Sequence, residues 1–382
     1  MHITQNFDGG NIVVLSANTP EDIRLEIRKD NESDFYQWFY FRLSGTHDGA
    51  HDGIKGQDCV MTIENAAGSA FTGGWENYQA RASYDREEWF LVPTRYVDGK
   101  LIIEHTPEFG SVYYAYFAPY SMERHADLIA GCQMHPDVRA TVLGQTLDGQ
   151  DMDMLTVGVP AKGKKTMWIT ARQHPGEIMA EWWMEGFLSR LLDDEDPTAR
   201  VLRDKCVFHI VPNMNPDGSR RGHLRTNACG ANLNREWGIA TTSRSPEVFL
   251  VMAAMQKSGV DFCLDVHGDE ALPYNFIAGA EGVPSFTKQG AKWLNDFQEA
   301  YKRFSPDFQT KHGYGDAPAG TANLTYATNY VAEEHGCLAM TLEMPFKDNV
   351  DLPDPEYGWS PERSAKLGAD VLGAILAVVD DL

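Results

Sequence analysis

Short runs of alternating hydrophobic and polar residues fill the first part of the chain. Examples are Tyr36–Leu43, Leu101–Glu104 and Val112–Phe117, and clusters of glycine, aspartate and asparagine separate them. A period of two predicts half-buried strands, and the small polar residues favour turns between them. Residues 1–120 are therefore predicted to form an antiparallel β-sandwich or barrel.

After Ala118 the pattern changes, because apolar runs now alternate with stretches whose apolar residues recur at helical spacing. Such stretches cover Met179–Leu192, residues 293–301 and the segment after Ser360. This alternation is typical of a sheet covered by helices, so residues 121–382 are predicted to form an α/β domain. Its predicted strands are Thr166–Ala171, Val207–Val211, Phe262–Val266 and Leu338–Leu342.

Length, net charge and cysteine spacing limit the number of domains, the kinds of partner and the location that we expect for the chain. The 382 residues exceed the roughly 250–300 at which a single core usually divides, which agrees with two domains. The formal net charge of −22 argues against nucleic acid or an anionic membrane as a partner. No apolar run reaches the length of a membrane helix, and the first residues lack the pattern of a signal peptide. The six cysteines are scattered without a C-x-x-C spacing, so we expect a cytoplasmic protein.

Polar side chains with catalytic potential stand at the ends of the predicted strands. His174 follows the first strand, the segment 215–235 follows the second, and His267 follows the third. Glu343 comes directly after the fourth. Since ligands of open α/β sheets bind beyond the carboxyl ends of the strands, these groups are expected to converge on one crevice.

Two H-x-x-E spacings offer metal ligands. One is His174-Pro-Gly-Glu177 and the other is His267-Gly-Asp-Glu270. Catalytic zinc takes three protein ligands from such residues and keeps one open position. The spacing alone allows two sets, either the first pair with His267 or the second pair with His174. A single H-x-x-E is no better than chance, so the signal comes from two of them following apolar strands.

A carboxylate and a group of arginines complete the candidate chemistry. Glu343 ends a buried strand, where a desolvated carboxylate near a metal is suited to act as a general base. The segment 215–235 carries several arginines and no helical period, which indicates a functional loop that binds an anion. Arg220 and Arg221 are interpreted as solvated surface residues.

Together these pieces resemble the zinc metallocarboxypeptidases of the carboxypeptidase A type, and more closely their cytosolic carboxypeptidase branch. The resemblance covers roughly residues 125–380, and residues 1–120 look like the β-sandwich domain that precedes the catalytic domain in that branch. It implies a mixed central sheet flanked by helices in residues 121–382. The matching motifs are His174-Pro-Gly-Glu177, Asn215-Pro-Asp-Gly218, Arg225, Asn234-Arg235, His267-Gly268 and Thr341-Leu-Glu343, in the family's order.

The resemblance also implies roles for the site residues. His174, Glu177 and His267 would hold one zinc ion, which leaves Glu270 outside the ligand set. Glu343 would deprotonate the zinc-bound water. Arg225 would polarise the scissile carbonyl and stabilise the oxyanion, while Asn234 and Arg235 would clamp the terminal carboxylate of a peptide or protein tail.

Three departures from the family pattern affect these roles. Asn232 stands where many relatives have an aspartate that orients a zinc histidine, and an amide adds no charge. The tyrosine that caps the substrate has Tyr314 as its nearest candidate. Asn323 occupies a substrate-binding position where relatives that trim glutamate chains carry arginine, and no lysine or arginine occurs from His312 to Phe346. A preference for glutamate is therefore not favoured.

Two other functions remain open from the sequence. A zinc amidohydrolase of the same fold would use the same metal and arginines on acyl-amino acids or cell-wall peptides. A non-catalytic binding module would have no need for a base at Glu343. The oligomeric state is not indicated by any pattern in the chain.

Overall fold

The computed structural model describes residues 1–45, 53–315 and 317–382. Its strands are β1 (His2–Thr4), β2 (Val13–Thr19), β3 (Asp22–Glu26), β4 (Tyr40–Ser44), β5 (Cys59–Ile63), β6 (Ala80–Ser83), β7 (Phe90–Val92), β8 (Thr94–Val97), β9 (Lys100–His105), β10 (Ser111–Ala115), β11 (Val138–Gln145), β12 (Asp151–Val157), β13 (Lys165–Ala171), β14 (Cys206–Val211), β15 (Phe262–Asp269), β16 (Phe276–Ala278) and β17 (Leu338–Pro345). Its α-helices are α1 (Met122–Cys132), α2 (Met179–Leu191), α3 (Pro197–Lys205), α4 (Pro216–Arg221), α5 (Pro246–Ser258), α6 (Lys288–Phe304), α7 (Ala327–His335) and α8 (Pro361–Val378).

The N-terminal part consists of two five-stranded sheets, ordered β1-β4-β10-β6-β7 and β2-β3-β5-β9-β8. Side chains from both sheets, such as Leu25, Met61, Ile103 and Tyr114, are fully buried in one core. The predicted antiparallel sandwich is confirmed, with the difference that β3 and β5 pair in parallel. Between β3 and β5 the chain passes through β4 of the other sheet. Parallel neighbours need a long crossover connection of this kind.

The C-terminal part has a seven-stranded mixed sheet in the order β11-β12-β14-β13-β15-β17-β16. The four central strands are parallel and the outer three are antiparallel to their neighbours. Helices α2, α6 and α8 cover one face, and α5 and α7 cover the other. This confirms the predicted mixed sheet flanked by helices.

Several predicted strand boundaries differ from those of the structure. The first β run begins at Tyr40 instead of Tyr36. Strands β15 and β17 extend past their apolar cores, so His267 and Glu343 lie within the strands and are paired with each other in register. Pairing depends on backbone hydrogen bonds, and it therefore continues where the side chains turn polar.

The two parts share a buried boundary. The guanidinium of Arg81, which is 1% exposed, donates to the carbonyl oxygens of Phe346 at 3.1 Å and Trp359 at 2.8 Å. The ring of Tyr116 stacks on Phe346 with centroids 4.6 Å apart. Burial lowers the pKa of Arg81 to about 10. We propose a domain boundary at residue 120, between the end of β10 and the start of α1.

Among the described helices, none has the length and apolar character to cross a bilayer.

Candidate metal centre and active site

His174 and Glu177 lie on the loop between β13 and α2. Gly176 sits at the tightest point of this loop, because a Cβ there would come within 2.8 Å of the Leu224 carbonyl oxygen. The backbone amide of Gly176 donates to that same oxygen at 2.8 Å. The buried guanidinium of Arg172 donates to the Pro175 carbonyl oxygen at 3.0 Å. The loop therefore presents its imidazole and carboxylate from a fixed backbone.

His174, Glu177 and His267 form one buried group of candidate metal ligands, the metal cluster. Their ligand atoms all lie within 4.8 Å of one another. Nδ1 of His174 is 2.6 Å from one Glu177 oxygen, and Nδ1 of His267 is 2.7 Å from the other. Two imidazoles and a carboxylate are a donor set that suits catalytic zinc. Among the described residues, Glu270 is not part of the cluster. The geometry thus favours the first of the two sets that the spacing allowed.

The outer nitrogens of both imidazoles have hydrogen-bond acceptors. Nε2 of His267 donates to Asp265 Oδ2 at 2.6 Å, and Nε2 of His174 donates to Asn232 Oδ1 at 3.0 Å. These contacts leave both Nδ1 atoms facing the cluster and fix the tautomers that a metal requires. Asp265 also accepts from Thr170 and from Gln173. His267 consequently has a charged outer partner and His174 a neutral one.

This difference in partners changes the two imidazole pKa values in opposite directions. Burial, reinforced by Arg225, lowers the pKa of His174 to about 4. Burial would also lower the pKa of His267, but the carboxylates of Asp265 and Glu177 outweigh it and raise that pKa. Burial would raise the pKa of Glu177, yet the two histidines lower it. His174 is thus neutral at pH 7 with a free lone pair for a metal.

Glu343 is buried, and one of its oxygens points to no protein partner. Oε1 accepts from the Tyr314 hydroxyl at 3.2 Å, whereas Oε2 is buried without a hydrogen-bond partner among the described residues. Burial raises the pKa of this carboxyl, and nearby carboxylates add to the effect of burial while His267 opposes it. The same Tyr314 hydroxyl lies 2.6 Å from Asp269 Oδ2, so its one proton is shared between the two carboxyl groups. The sequence-predicted Tyr314 is therefore in contact with the predicted base.

Two arginines, Arg225 and Arg235, lie at the site. Nη1 of Arg225 is 3.7 Å from Glu177 Oε1, next to the metal cluster. The guanidinium of Arg235 lies 3.7 Å from the centre of the Tyr326 ring and donates to the Asn234 carbonyl oxygen at 2.6 Å. Asn234 Oδ1 accepts from the first backbone amide of α7 at 2.8 Å. The side-chain oxygen of Asn234 thus anchors that helix, and its amide nitrogen remains for other contacts.

One cavity of about 270 Å³ joins these groups. Asn323 is not in its lining, since its side-chain oxygen accepts from Thr325 while its backbone oxygen accepts from Asn329. The structure thus brings together every sequence-predicted site residue except Asn323. The lining consists of Phe71, His174, Glu177, Arg225, Asn234, Arg235, His267, Gly268, Asp269, Glu270, Ala271, Ala278, Gly279, Tyr314, Tyr326, Thr328, Asn329, Thr341 and Glu343.

Several residues at the site were not predicted from the sequence. Asp265 stands two positions before His267 on one strand, so the period of a strand already placed both side chains on the same face. No motif or periodicity in the sequence indicated Tyr326. Phe71 comes from the N-terminal domain, and no pattern in the chain indicates which of its residues reach the cavity.

Comparisons with known proteins identify the family of the chain. Residues 125–365 match the family model of zinc carboxypeptidases, and residues 3–117 match that of the cytosolic carboxypeptidase N-terminal domain. The crystal structure of a metallo-carboxypeptidase from Burkholderia cenocepacia is 53% identical with a TM-score of 0.94, covering 100% of this chain and 99% of that one.

Two further relatives extend the comparison. The metallo-carboxypeptidase from Pseudomonas aeruginosa, in complex with (2-guanidinoethylmercapto)succinic acid, is 43% identical with a TM-score of 0.96 and full coverage of both chains. Cytosolic carboxypeptidase 3 of Bos taurus is 27% identical over 72% of this chain, which spans 30% of the bovine protein. The resemblance noted in the sequence is confirmed: the chain belongs to the zinc carboxypeptidase family, carries the cytosolic carboxypeptidase N-terminal domain, and is a hydrolase.

Proposed function

We propose that the chain is a carboxypeptidase that hydrolyses the last peptide bond of peptides or protein tails. It would use one zinc ion held by His174, Glu177 and His267. The observation that carries this proposal is that the metal cluster and the guanidinium of Arg235 line the same cavity. A site with both features is suited to bind a free carboxylate and to attack the bond next to it.

The residues divide the chemistry among themselves. A zinc ion held by His174, Glu177 and His267 would supply a positive charge to polarise the scissile carbonyl and would lower the pKa of a bound water to about 7. Glu343 accepts the proton of the attacking water on its unpartnered oxygen and passes it to the leaving amine. Arg225, next to the cluster, stabilises the negative charge that develops on the carbonyl oxygen. Tyr314, whose single hydroxyl proton is shared between Asp269 and Glu343, would cap the bound substrate.

Arg235 and the Asn234 amide are placed to hold the terminal carboxylate. The planar guanidinium forks match a carboxylate in geometry, and stacking on Tyr326 holds that plane in one orientation. Burial lowers the pKa of Arg235, but an arginine remains charged at pH 7. This clamp is the feature that selects a chain end over an internal peptide bond.

The lining around the clamp supports a neutral side chain at the terminal residue. The cavity lining includes the uncharged residues Ala278, Gly279, Thr328 and Thr341. Thr328 and Thr341 satisfy each other, since their hydroxyl oxygens are 2.6 Å apart. Among the described lining residues Arg225 and Arg235 are the only arginines and there is no lysine, and both arginines already have a proposed role. We therefore propose that glutamate is not the preferred residue.

Cleavage of a peptide is expected to require its free C-terminal carboxylate. A peptide acid should release its last residue, and the corresponding C-terminal amide should not. Arg235→Met should raise KM for the acid by about 10–100-fold, because charge-assisted hydrogen bonds are lost. Mass spectrometry of a peptide-library digest gives the products. Arg220→Met is the matched control, since Arg220 contacts Gln150 on the surface; equal cleavage of acid and amide would contradict the proposal.

The alternative is a zinc amidohydrolase that acts on acyl-amino acids or cell-wall peptides. Such substrates also end in a carboxylate, so the same arginine clamp would bind them. The carboxylate-bearing ligand of the Pseudomonas aeruginosa structure is compatible with either function. Hydrolysis rates of N-blocked dipeptides compared with those of acyl-amino acids and muropeptides distinguish the two.

Replacing Asn232 by aspartate is expected to tighten metal binding. The carboxylate would accept the His174 Nε2–H bond now made to the amide at 3.0 Å, and its charge would make the imidazole a stronger donor. We expect the zinc dissociation constant to fall about tenfold, since outer partners change affinity by roughly 10–100-fold. Competition with a chelator measures this constant. An Asn232→Asp protein with weaker zinc binding would contradict the role given to this contact.

We infer a cytoplasmic location, with neither nucleic acid nor membrane as partner. All six cysteines are free thiols, and four of them are buried. Free thiols are typical of a reducing compartment. The net charge of −22 repels polyanions and anionic lipid surfaces.

A further inference from the structure

We infer that Asp30 of the N-terminal domain is a positioning residue for Arg225, so that the β-sandwich is part of the catalytic apparatus. This rests on the proposed role of Arg225 beside the metal cluster. Asp30 lies on the connection between β3 and β4 and is 3% exposed. It belongs to the part of the chain in which the sequence showed no catalytic motif.

The carboxylate of Asp30 binds three consecutive backbone amides of the Arg225 loop. Oδ1 accepts from the amide of Leu224 at 2.7 Å, and Oδ2 accepts from the amides of Arg225 at 2.8 Å and Thr226 at 2.9 Å. Oδ2 also accepts from the Thr226 hydroxyl at 3.1 Å. A buried charge with four donors fixes the backbone from which the Arg225 side chain extends.

The Arg225 side chain is itself held by two rings of the N-terminal domain. Its guanidinium carbon is 5.7 Å from the centre of the Phe35 ring and 5.0 Å from that of Phe71. Phe71 is fixed in turn by the buried amide of Gln37, which accepts from the Phe71 backbone amide at 2.8 Å and donates to its carbonyl oxygen at 3.0 Å. Both the backbone and the charged end of Arg225 therefore rest on the sandwich.

The ends of this loop also press against the sandwich. A Cβ on Gly222 would come within 2.6 Å of the Gly9 carbonyl oxygen, and one on Gly230 within 2.4 Å of the Glu32 carbonyl oxygen. Both glycines have positive φ angles, of 69° and 78°. Residues 222–230 are thus docked on the N-terminal domain along their length, and Asp30 holds their centre.

The test is a double-mutant cycle on kcat. Asp30→Asn keeps the shape of the side chain but turns an N–H donor toward the backbone amides of the loop. Alone it should lower kcat by about 10–100-fold, with KM for a peptide acid and zinc content nearly unchanged, because an oxyanion donor has been displaced. In an Arg225→Ala background it should have no further effect on kcat, because Asp30 acts through Arg225.

Asn11→Ala is the matched control. Asn11 is equally buried and bonds Gly222 across the same boundary at 2.9 Å, but it does not touch Leu224, Arg225 or Thr226. It should lower the melting temperature and leave kcat near the wild-type value. Phe35→Leu is a second variant, expected to lower kcat about two- to fivefold through the lost ring contact, again only when Arg225 is present.

The outcomes separate this inference from the proposed function. If Asp30→Asn lowers kcat by the same factor with and without Arg225, Asp30 supports the fold alone and the inference is wrong. An Asp30→Asn protein that folds and keeps its full kcat overturns it as well. If Arg225→Ala itself retains the wild-type kcat, the role of Arg225 in the proposed function fails, and the positioning role fails with it.

Discussion

Glu343→Gln is expected to lower kcat by about 10²–10⁴-fold, the usual contribution of a general base, while the protein still binds one zinc ion. Glutamine keeps the size of the side chain and can still accept from Tyr314, but it cannot take a proton from water. The carboxyl is not part of the metal cluster, so the metal content should not change.

The pH profile gives an independent check on this result. Burial raises the pKa of Glu343, and a bound cation would bring it back down. As the group acts in its ionised form, wild-type activity falls when the pH drops through that pKa. This acid limb should be absent from the residual activity of Glu343→Gln. Metal analysis and melting temperature serve as controls, and a variant with undiminished turnover would contradict the mechanism.

Removal of the metal should abolish activity, and zinc should restore it. Two isosteric changes, compared side by side, test which glutamate binds the metal. Glu177→Gln removes the carboxylate that joins both histidines and should weaken zinc binding by more than about 100-fold, since even outer partners change affinity by roughly 10–100-fold. Glu270→Gln changes a carboxyl in the same cavity that lies outside the cluster and should leave zinc binding intact.

Equilibrium dialysis against a zinc buffer measures both variants under the same conditions. Burial raises the pKa of Glu270, and glutamine matches the size of its side chain. Loss of zinc from Glu270→Gln with retention in Glu177→Gln would show that the second H-x-x-E supplies the ligand.

The convergence of the candidate site residues was predictable from the sequence because they stand at or near the carboxyl ends of neighbouring parallel strands. His174, Glu177, His267 and Glu343 needed only the strand pattern and the family's motif order. The choice between Glu177 and Glu270 depended on the resemblance, because both spacings are equal along the chain. In space Glu177 faces the histidines, whereas Glu270 packs near Gly74 of the N-terminal domain.

The contacts between the two domains were beyond reach of the sequence. Asp30 and Phe71 lie in ordinary turn and loop segments, and their partners are about 150–200 residues away in the chain. Long-range docking of this kind leaves no periodic pattern. A substrate-binding role for Asn323 stays a prediction: Asn323 lies outside the cavity lining, in the local turn before α7, where its side-chain oxygen accepts from Thr325.

The register of β15 and β17 bears on how this fold diversifies. His267 and Glu343 are directly paired on neighbouring parallel strands, so their backbones are held at the spacing of a sheet, about 4.8 Å. Besides Thr341 of β17, the proposed lining for the terminal residue comes from Ala278 of β16, from Gly279 and from the segment around Tyr326. Mutations there can change which residue is accepted while the relation of base to metal stays constant. Directed evolution of new selectivity should therefore target residues 278–279 and 326–329, and the two paired strands should be left as they are.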